Sequence, residues 1–170
     1  TETDNAVVPE QFSNPLNPAA HEHSTAPEIY DALDGAVGAV VAGAGTSGTL
    51  MGLARYALDQ DPDTHVVAVE PEGSLYAQTK GREVERGEYA IEGIGTSDLE
   101  SKQLFDPDLV DEIRQVGDRA AHTELKRLAA EEGQLVASSA AAASVAAREV
   151  AERIRDGELA VPHETVVTVF

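Results

Sequence analysis

The sequence predicts an α/β fold, in three layers, with a mostly parallel sheet and helices on both of its faces. Three observations predict it. Short, almost wholly apolar runs recur at Val37–Ala42, Val66–Val69 and Val166–Phe170, as strands covered on both faces require. Segments with a helical repeat separate them. Glycine or proline marks most of the changeovers, so the chain reads as alternating strands and helices.

The elements follow in order. Asn5–Phe12 reads as a short strand entering a loop, and the segment from Ser13 to Thr25, with its Asn14-Pro15 and Asn17-Pro18 pairs, reads as that loop. Thr25–Leu33 is expected to be a short helix capped by Ser24 or Thr25, with Pro27 in its first turn. The strand Val37–Ala42 leads through a glycine loop into a helix from Ser47 to Asp59, which places Leu50, Leu53, Ala54, Ala57 and Leu58 on one face. Val66–Val69 is the next strand. Residues 71–108 carry many charges and glycines without strong periodicity and are expected to form a long surface excursion. Leu109–Val116 reads as a strand. A helix capped by Asp118 then runs to about Glu132 and stops at Gly133. Leu135–Ala137 is a brief apolar link, Ser138 opens an alanine-rich second helix, and Val166–Phe170 is the last strand.

Composition excludes several classes. The 170 residues suffice for one domain with a sizeable core, and 42% are hydrophobic. No apolar run reaches the roughly 20 residues of a membrane helix, and no signal peptide opens the chain, so neither a membrane nor secretion is expected. Cysteine is absent, which removes disulfides and thiolate metal sites. Acidic residues number 31 against 12 basic ones, a net charge of −19, and only Lys80, Lys102 and Lys126 are lysines. Acids so dispersed argue against nucleic acid as a partner and point to a cytoplasmic protein of a salt-loving organism. The chain opens at Thr1, has Met51 as its sole methionine and stops within an apolar run, so it is expected to be a single α/β domain, a fragment of a longer polypeptide.

The stretch Gly43-Ala-Gly45-Thr46-Ser47-Gly48 is the candidate site. Glycines let a backbone approach an anion, and free amides at the start of the following helix bind it. The spacing matches G-x-G-x-x-G, and Glu70 ends the next strand where a ribose-binding acid would stand. By itself, that window reads as a dinucleotide site of an NAD(P)-dependent oxidoreductase. Thr46, Ser47 and Thr49 add three hydroxyl donors, which suit the dianionic end of a phosphate monoester better than a pyrophosphate. His21 and His23 suggest a metal pair, but no acid or thiol cluster supports one, and no metal is expected.

Remote segments decide between these readings. The chain holds, in order, "EQFSNPLNPAAHEHSTAPEIYDAL", "VVAGAGTSGTLMGLARY", "VVAVEPEGS", "IEGIG" and "EEGQLVASSAAAASVAA". Together these resemble the cysteine synthase and cystathionine β-synthase family, the fold-type II enzymes of pyridoxal 5′-phosphate. The resemblance implies roles. Gln11 would contact the substrate carboxylate; Gly45, Thr46, Ser47, Gly48 and Thr49 would hold the cofactor phosphate; Gly93 and Gly95 would lie beside its ring; and Ser138 would hydrogen-bond the pyridine nitrogen. His21 matches the family histidine, and Glu70 falls in the family's "VEP", which removes its ribose role. It implies β-replacement on serine or O-acetylserine with sulfide or a thiol such as homocysteine, in a homodimeric enzyme, sulfide being slightly favoured. Ser47 stands where the family has glycine, Ala140 also replaces a glycine, and "TSDLESKQLFDP" replaces the usual aromatic and proline after "GIG". No segment matches the family's Schiff-base lysine or its asparagine-containing substrate loop. The chain is therefore expected to be most of the larger, C-terminal domain, without the N-terminal catalytic half, with no catalytic residue of its own and inactive alone. A non-catalytic module that binds phosphate or docks to a partner remains the alternative description of this polypeptide.

Overall fold

A computed structural model describes residues 5–170. Four strands, β1 (Ala39–Gly43), β2 (His65–Pro71), β3 (Glu112–Val116) and β4 (Val166–Thr168), form one sheet in the order β3-β2-β1-β4, and every neighbouring pair is parallel. The helices are α1 (Leu16–Ala20), α2 (Ala26–Ala32), α3 (Gly48–Gln60), α4 (Asp118–Glu131) and α5 (Ser138–Arg155).

The alternation of side chains along the strands builds two cores. Val40 and Ala42 of β1 and Val66 and Ala68 of β2 point to one face, where they pack with Tyr30 of α2 and Leu50, Leu53 and Ala57 of α3. Val41, Val67 and Val69 point to the other, against Ala121 of α4 and Ala142, Ala146 and Val150 of α5. The three-layer reading of the sequence holds. Both faces being covered is why the central strands are apolar throughout. The alanines of α5 let that helix lie close against β1 and β2.

Five local readings are corrected. The segment from Asn5 to Glu10 pairs with no strand, and Val7 and Val8 are 89% and 70% exposed; a strand forms only where a ladder partner lies alongside. The Asn-Pro segment is helical from Leu16 onward. Asn14 Oδ1 accepts the Leu16 N–H at 2.9 Å, and Pro18 sits in the first turn, where a missing N–H forfeits no helical bond. Helix runs on through a π-helical turn, His21–Thr25, into α2, so Ser24 and Thr25 are interior rather than caps. The widened turn, closed by the Ala26 N–H donating to His21 O, brings the chain past Pro27, which has no N–H to give. Residues 72–111 between β2 and β3 are not all surface: Tyr76, Ile91, Thr96 and Leu104 are buried, and the strand expected from Leu109 starts at Glu112. Gly133 does end α4, at φ +68°.

The topology singles out one place. From β1 the chain moves through α3 to β2 and then to β3, whereas β4 lies on the opposite side of β1, reached after α4 and α5 on the other face. The connections diverge between β1 and β4, and a crevice opens beyond their carboxyl ends, as such switch points produce.

Candidate functional site

A cavity of about 300 Å³ occupies that crevice, a size at the lower end of small-molecule pockets. Ala42 and Gly43 at the end of β1 and Val169 and Phe170 just past β4 form two of its sides. The loop Gly45–Ser47 and the first residues of α3, Gly48 and Thr49, form the third. Gly93 and Ile94 close it from the long excursion, and Ser139, Ala140 and Ala143 of α5 supply the last wall. Two helices, 13 and 18 residues long, thus start at the same cavity. Their unpaired N–H groups and positive dipole ends face it together. Among the described residues, the N–H groups of Thr46 and Ser47 donate to nothing in the chain. No lining residue carries a charge, in a protein with 31 acids.

Close packing shapes the cup. The Gly95 N–H donates to Ala44 O at 2.7 Å, docking the "IEGIG" segment onto the glycine loop. A Cβ on Gly45 would stand 2.6 Å from Gly93 O, so only glycine fits between the two segments. At Gly48 a Cβ would overlap the side-chain amide of Asn17. Asn17 explains that crowding: its Nδ2 donates to Gln11 O at 2.7 Å and to Thr46 Oγ1 at 3.3 Å, tying the N-terminal segment to the loop. Asn17 escaped the sequence reading because Asn-Pro looked like turn chemistry, although it stands within the same "NPLNP" motif.

The hydroxyls divide. Thr46 Oγ1 is an acceptor towards Asn17, which leaves its proton free to donate. Thr49 Oγ1 lies 3.2 Å from His21 Nε2, and His21 Nδ1 lies 3.0 Å from Thr25 Oγ1, so the histidine links the π-helical turn to the start of α3. Its neighbour His23 is exposed. Ser47 is the correction: its hydroxyl donates to Tyr76 Oη at 3.3 Å in the buried layer beneath the loop, so two of the three expected hydroxyls remain for an anion.

The other predicted residues are placed as follows. Gly45, Thr46, Ser47, Gly48, Thr49 and Gly93 line the cavity, and Gly95 lies one residue behind it. Ser138 does not line it; its Oγ accepts the Glu92 N–H at 3.2 Å, and Ser139 takes the wall position. Gln11 is exposed and reaches the site only through its main-chain carbonyl on Asn17. Glu70 is fully buried, and its two oxygens accept the Tyr76 N–H at 2.8 Å, the Ala77 N–H at 2.9 Å and the Gln115 amide at 3.1 Å, which leaves them to the chain itself rather than to a ribose. None of the three lysines lines the cavity: Lys80 and Lys126 are exposed, and Lys102 sits over the Phe12 ring at 4.4 Å.

Behind the cavity, α5 is held to α4 by Glu124. Its carboxylate accepts from Arg127 Nε and Nη2 at 2.9 Å each, from Arg148 Nη1 at 3.0 Å and from Ser144 Oγ at 2.8 Å. The Arg127 hydrogen bonds, working against burial, bring its pKa down to about 2. Ser144 follows the wall residue Ala143, so this network fixes the helix that forms the cavity side.

Residues 1–170 match the family described as "Pyridoxal-phosphate dependent enzyme". Relatives include a cysteine synthase of Helicobacter pylori (strain ATCC 700392 / 26695), 36% identical over 165 residues, which span 97% of this chain and 50% of that protein. A cystathionine beta-synthase of Apis mellifera is 33% identical over 153 residues, 90% of this chain and 30% of that protein. Among solved structures, the O-acetylserine dependent cystathionine beta-synthase from Helicobacter pylori superposes with a TM-score of 0.82 at 36% identity, covering 99% of this chain and 51% of that one. The chain therefore spans half or less of the length of these relatives.

Proposed function

The chain belongs to the pyridoxal-phosphate dependent enzymes of the cysteine synthase and cystathionine β-synthase kind, and from that membership we propose that it is the cofactor-phosphate-binding domain of an enzyme of β-replacement on serine or O-acetylserine. The products would be cysteine or cystathionine, with sulfide slightly favoured over homocysteine as the acceptor. One observation carries the reading: a carboxylate-free cup where two helix N-termini and a glycine loop converge, on a chain of net charge −19.

The residues present suit the cofactor. The amides of Thr46 and Ser47, the first turn of α3, and the hydroxyls of Thr46 and Thr49 make a donor set for a phosphate dianion. Gly45 and Gly93, packed backbone to backbone, put no side chain into the cavity where a planar ring would lie. Ile94, Val169 and Phe170 supply apolar walls. When bound, the cofactor supplies the electron sink for breaking bonds at the amino-acid substrate's α and β carbons. The start of α5 would meet the ring nitrogen. The resemblance gives that contact to Ser138, which lies outside the cavity lining with its Oγ on the Glu92 N–H, whereas Ser139 is the hydroxyl that the wall presents there. A hydroxyl there, unlike a carboxylate, does not hold a proton on the ring, and this suits elimination of a β leaving group over deeper carbanion chemistry. Gln11, held near the loop by Asn17, would face the substrate carboxylate.

The side chains that line the cavity include no amine, imidazole or carboxylate, so none of them can take the substrate α-proton. We therefore assign the cofactor-linking lysine to a part of the enzyme outside this chain, and the 170-residue chain alone is expected to bind the cofactor without turning over substrate. The intact enzyme is read as a homodimer of the cytoplasm acting on small amino-acid and thiol or sulfide substrates. Among the described residues, no helix is long and apolar enough to cross a membrane.

The test is a titration of the chain with pyridoxal 5′-phosphate followed by ³¹P NMR, then borohydride reduction and mass analysis. Saturable phosphate binding with no stoichiometric reduced adduct is expected. A single stable lysine adduct would overturn the assignment of the lysine elsewhere. Tight NADH binding with no pyridoxal 5′-phosphate binding would replace the reading with an oxidoreductase.

A further inference from the structure

Ser47 adopts φ 67° and ψ 7°, the left-handed region, at the middle of the anion loop. A side chain there is strained relative to glycine, and something must hold the residue in place. What lies against it is a tyrosine from the long excursion. Tyr76 Oη donates to Gly45 O at 2.6 Å and accepts from Ser47 Oγ at 3.3 Å. The single phenolic proton is thereby allotted to the carbonyl, and the serine proton to the phenol. Tyr76 is itself immobilised. Its side chain is fully buried, its ring lies 4.7 Å from that of Phe105, and its N–H donates to the buried Glu70. Burial, which disfavours a phenolate, brings its pKa up to about 12, so the phenol keeps the proton it donates.

The geometry has a consequence for the amides. In a trans peptide the carbonyl and the following N–H point in opposite directions. A Gly45 carbonyl drawn down onto Tyr76 turns the Thr46 N–H the other way, away from the buried layer. The Ser47 hydroxyl, donating to Tyr76 Oη, steadies the left-handed residue that turns the chain into α3. We propose that Tyr76 and Ser47 form a positioning pair that holds the loop amides in their anion-binding orientation, and that Tyr76 thereby sets the affinity of the site for a phosphate monoester without touching it. The proposal rests on the reading of the loop as the cofactor-phosphate cup. It gives a role to the serine that stands among the loop glycines, and to a residue of a segment without periodicity.

The experiment measures binding of inorganic phosphate and of pyridoxal 5′-phosphate to the 170-residue chain by ³¹P NMR at about 10 °C, well below unfolding, for the unaltered chain, Tyr76→Phe, Ser47→Ala and the double variant. Losing the hydrogen bond to Gly45 should weaken both ligands about 5–10-fold in Tyr76→Phe. Ser47→Ala should weaken them about 3–5-fold, and the double variant should resemble Tyr76→Phe, because each hydroxyl acts through the other. A role confined to folding would lower the apo unfolding temperature and leave phosphate affinity unchanged. Affinities within twofold of the unaltered chain, or strictly additive losses, would overturn the proposal. Should Tyr76→Phe not fold, Ser47→Ala decides by the same threshold. An unaltered chain that binds neither ligand would refute the phosphate-cup reading, and this proposal with it.

Discussion

Replacing Glu124 with glutamine tests how the cavity wall is held. The carboxylate accepts two hydrogen bonds from Arg127 of its own helix and two from Ser144 and Arg148 of α5, and glutamine offers one oxygen and an NH₂ group that would oppose the guanidiniums of Arg127 and Arg148. The folded carboxyl titrates at about 2, against an ordinary value of 4.5. That difference would correspond to ~3 kcal/mol, but the Arg127 and Arg148 side chains are 26% and 53% exposed, and solvent screens the pairs. About 2 kcal/mol is the expected loss at pH 7, or a fall of about 4–8 °C in Tm for a chain of this size. The sign with pH follows from linkage. The pKa is depressed on folding, so between about 4.5 and about 2 the unfolded chain binds more protons, and the stabilisation present at neutral pH disappears as acid is added. The gap between the two proteins should therefore shrink to less than half by about pH 3. Thermal unfolding followed by circular dichroism from pH 7 to pH 3 measures both. A gap under about 1 °C at pH 7, or one equally wide at pH 3, would refute the reasoning.

Two further outcomes are expected. Gly48→Ala should displace the Asn17 amide, loosen its bonds to Gln11 and Thr46, and destabilise the fold by about 1–3 kcal/mol; Asn17→Ala in the same chain should recover part of that, and urea titrations showing no loss in the single variant would exclude the clash. With a net charge of −19, raising KCl from about 0.1 M to about 1 M shortens the screening length from about 10 Å to about 3 Å and should raise Tm by several degrees; a flat or falling Tm would remove self-repulsion, and with it the salt-loving reading.

The sheet was legible because both of its faces are covered: Val66–Val69 and Val37–Ala42 had to be apolar at every position, a signal that survives without any knowledge of neighbours. The lining of the cavity was legible for a different reason, since glycines at Gly45 and Gly48 answer to contacts a Cβ would forbid. Illegible features depend on direction or on distant partners. The Ser47 side chain turns away from the cavity because its φ is positive and Tyr76 lies beneath, and neither fact is local to the motif. Asn17 and Pro18 read as loop because turn residues and helix-start residues are the same types; the Asn14 bond to the Leu16 N–H decides between them. Ser138 and Ser139 are adjacent, and only the angle at which α5 meets the sheet determines which one enters the wall.

The uncharged cup within an acidic body has a kinetic consequence. Attraction from the two helix ends acts over the last few ångströms, whereas a phosphate dianion approaching from bulk solution first meets the field of the whole chain, which has the same sign. At low ionic strength the encounter is slowed rather than steered. Added salt would screen the distant repulsion and leave short-range attraction intact, so cofactor capture at the proposed cup would gain speed from the ions that would weaken it on a basic protein.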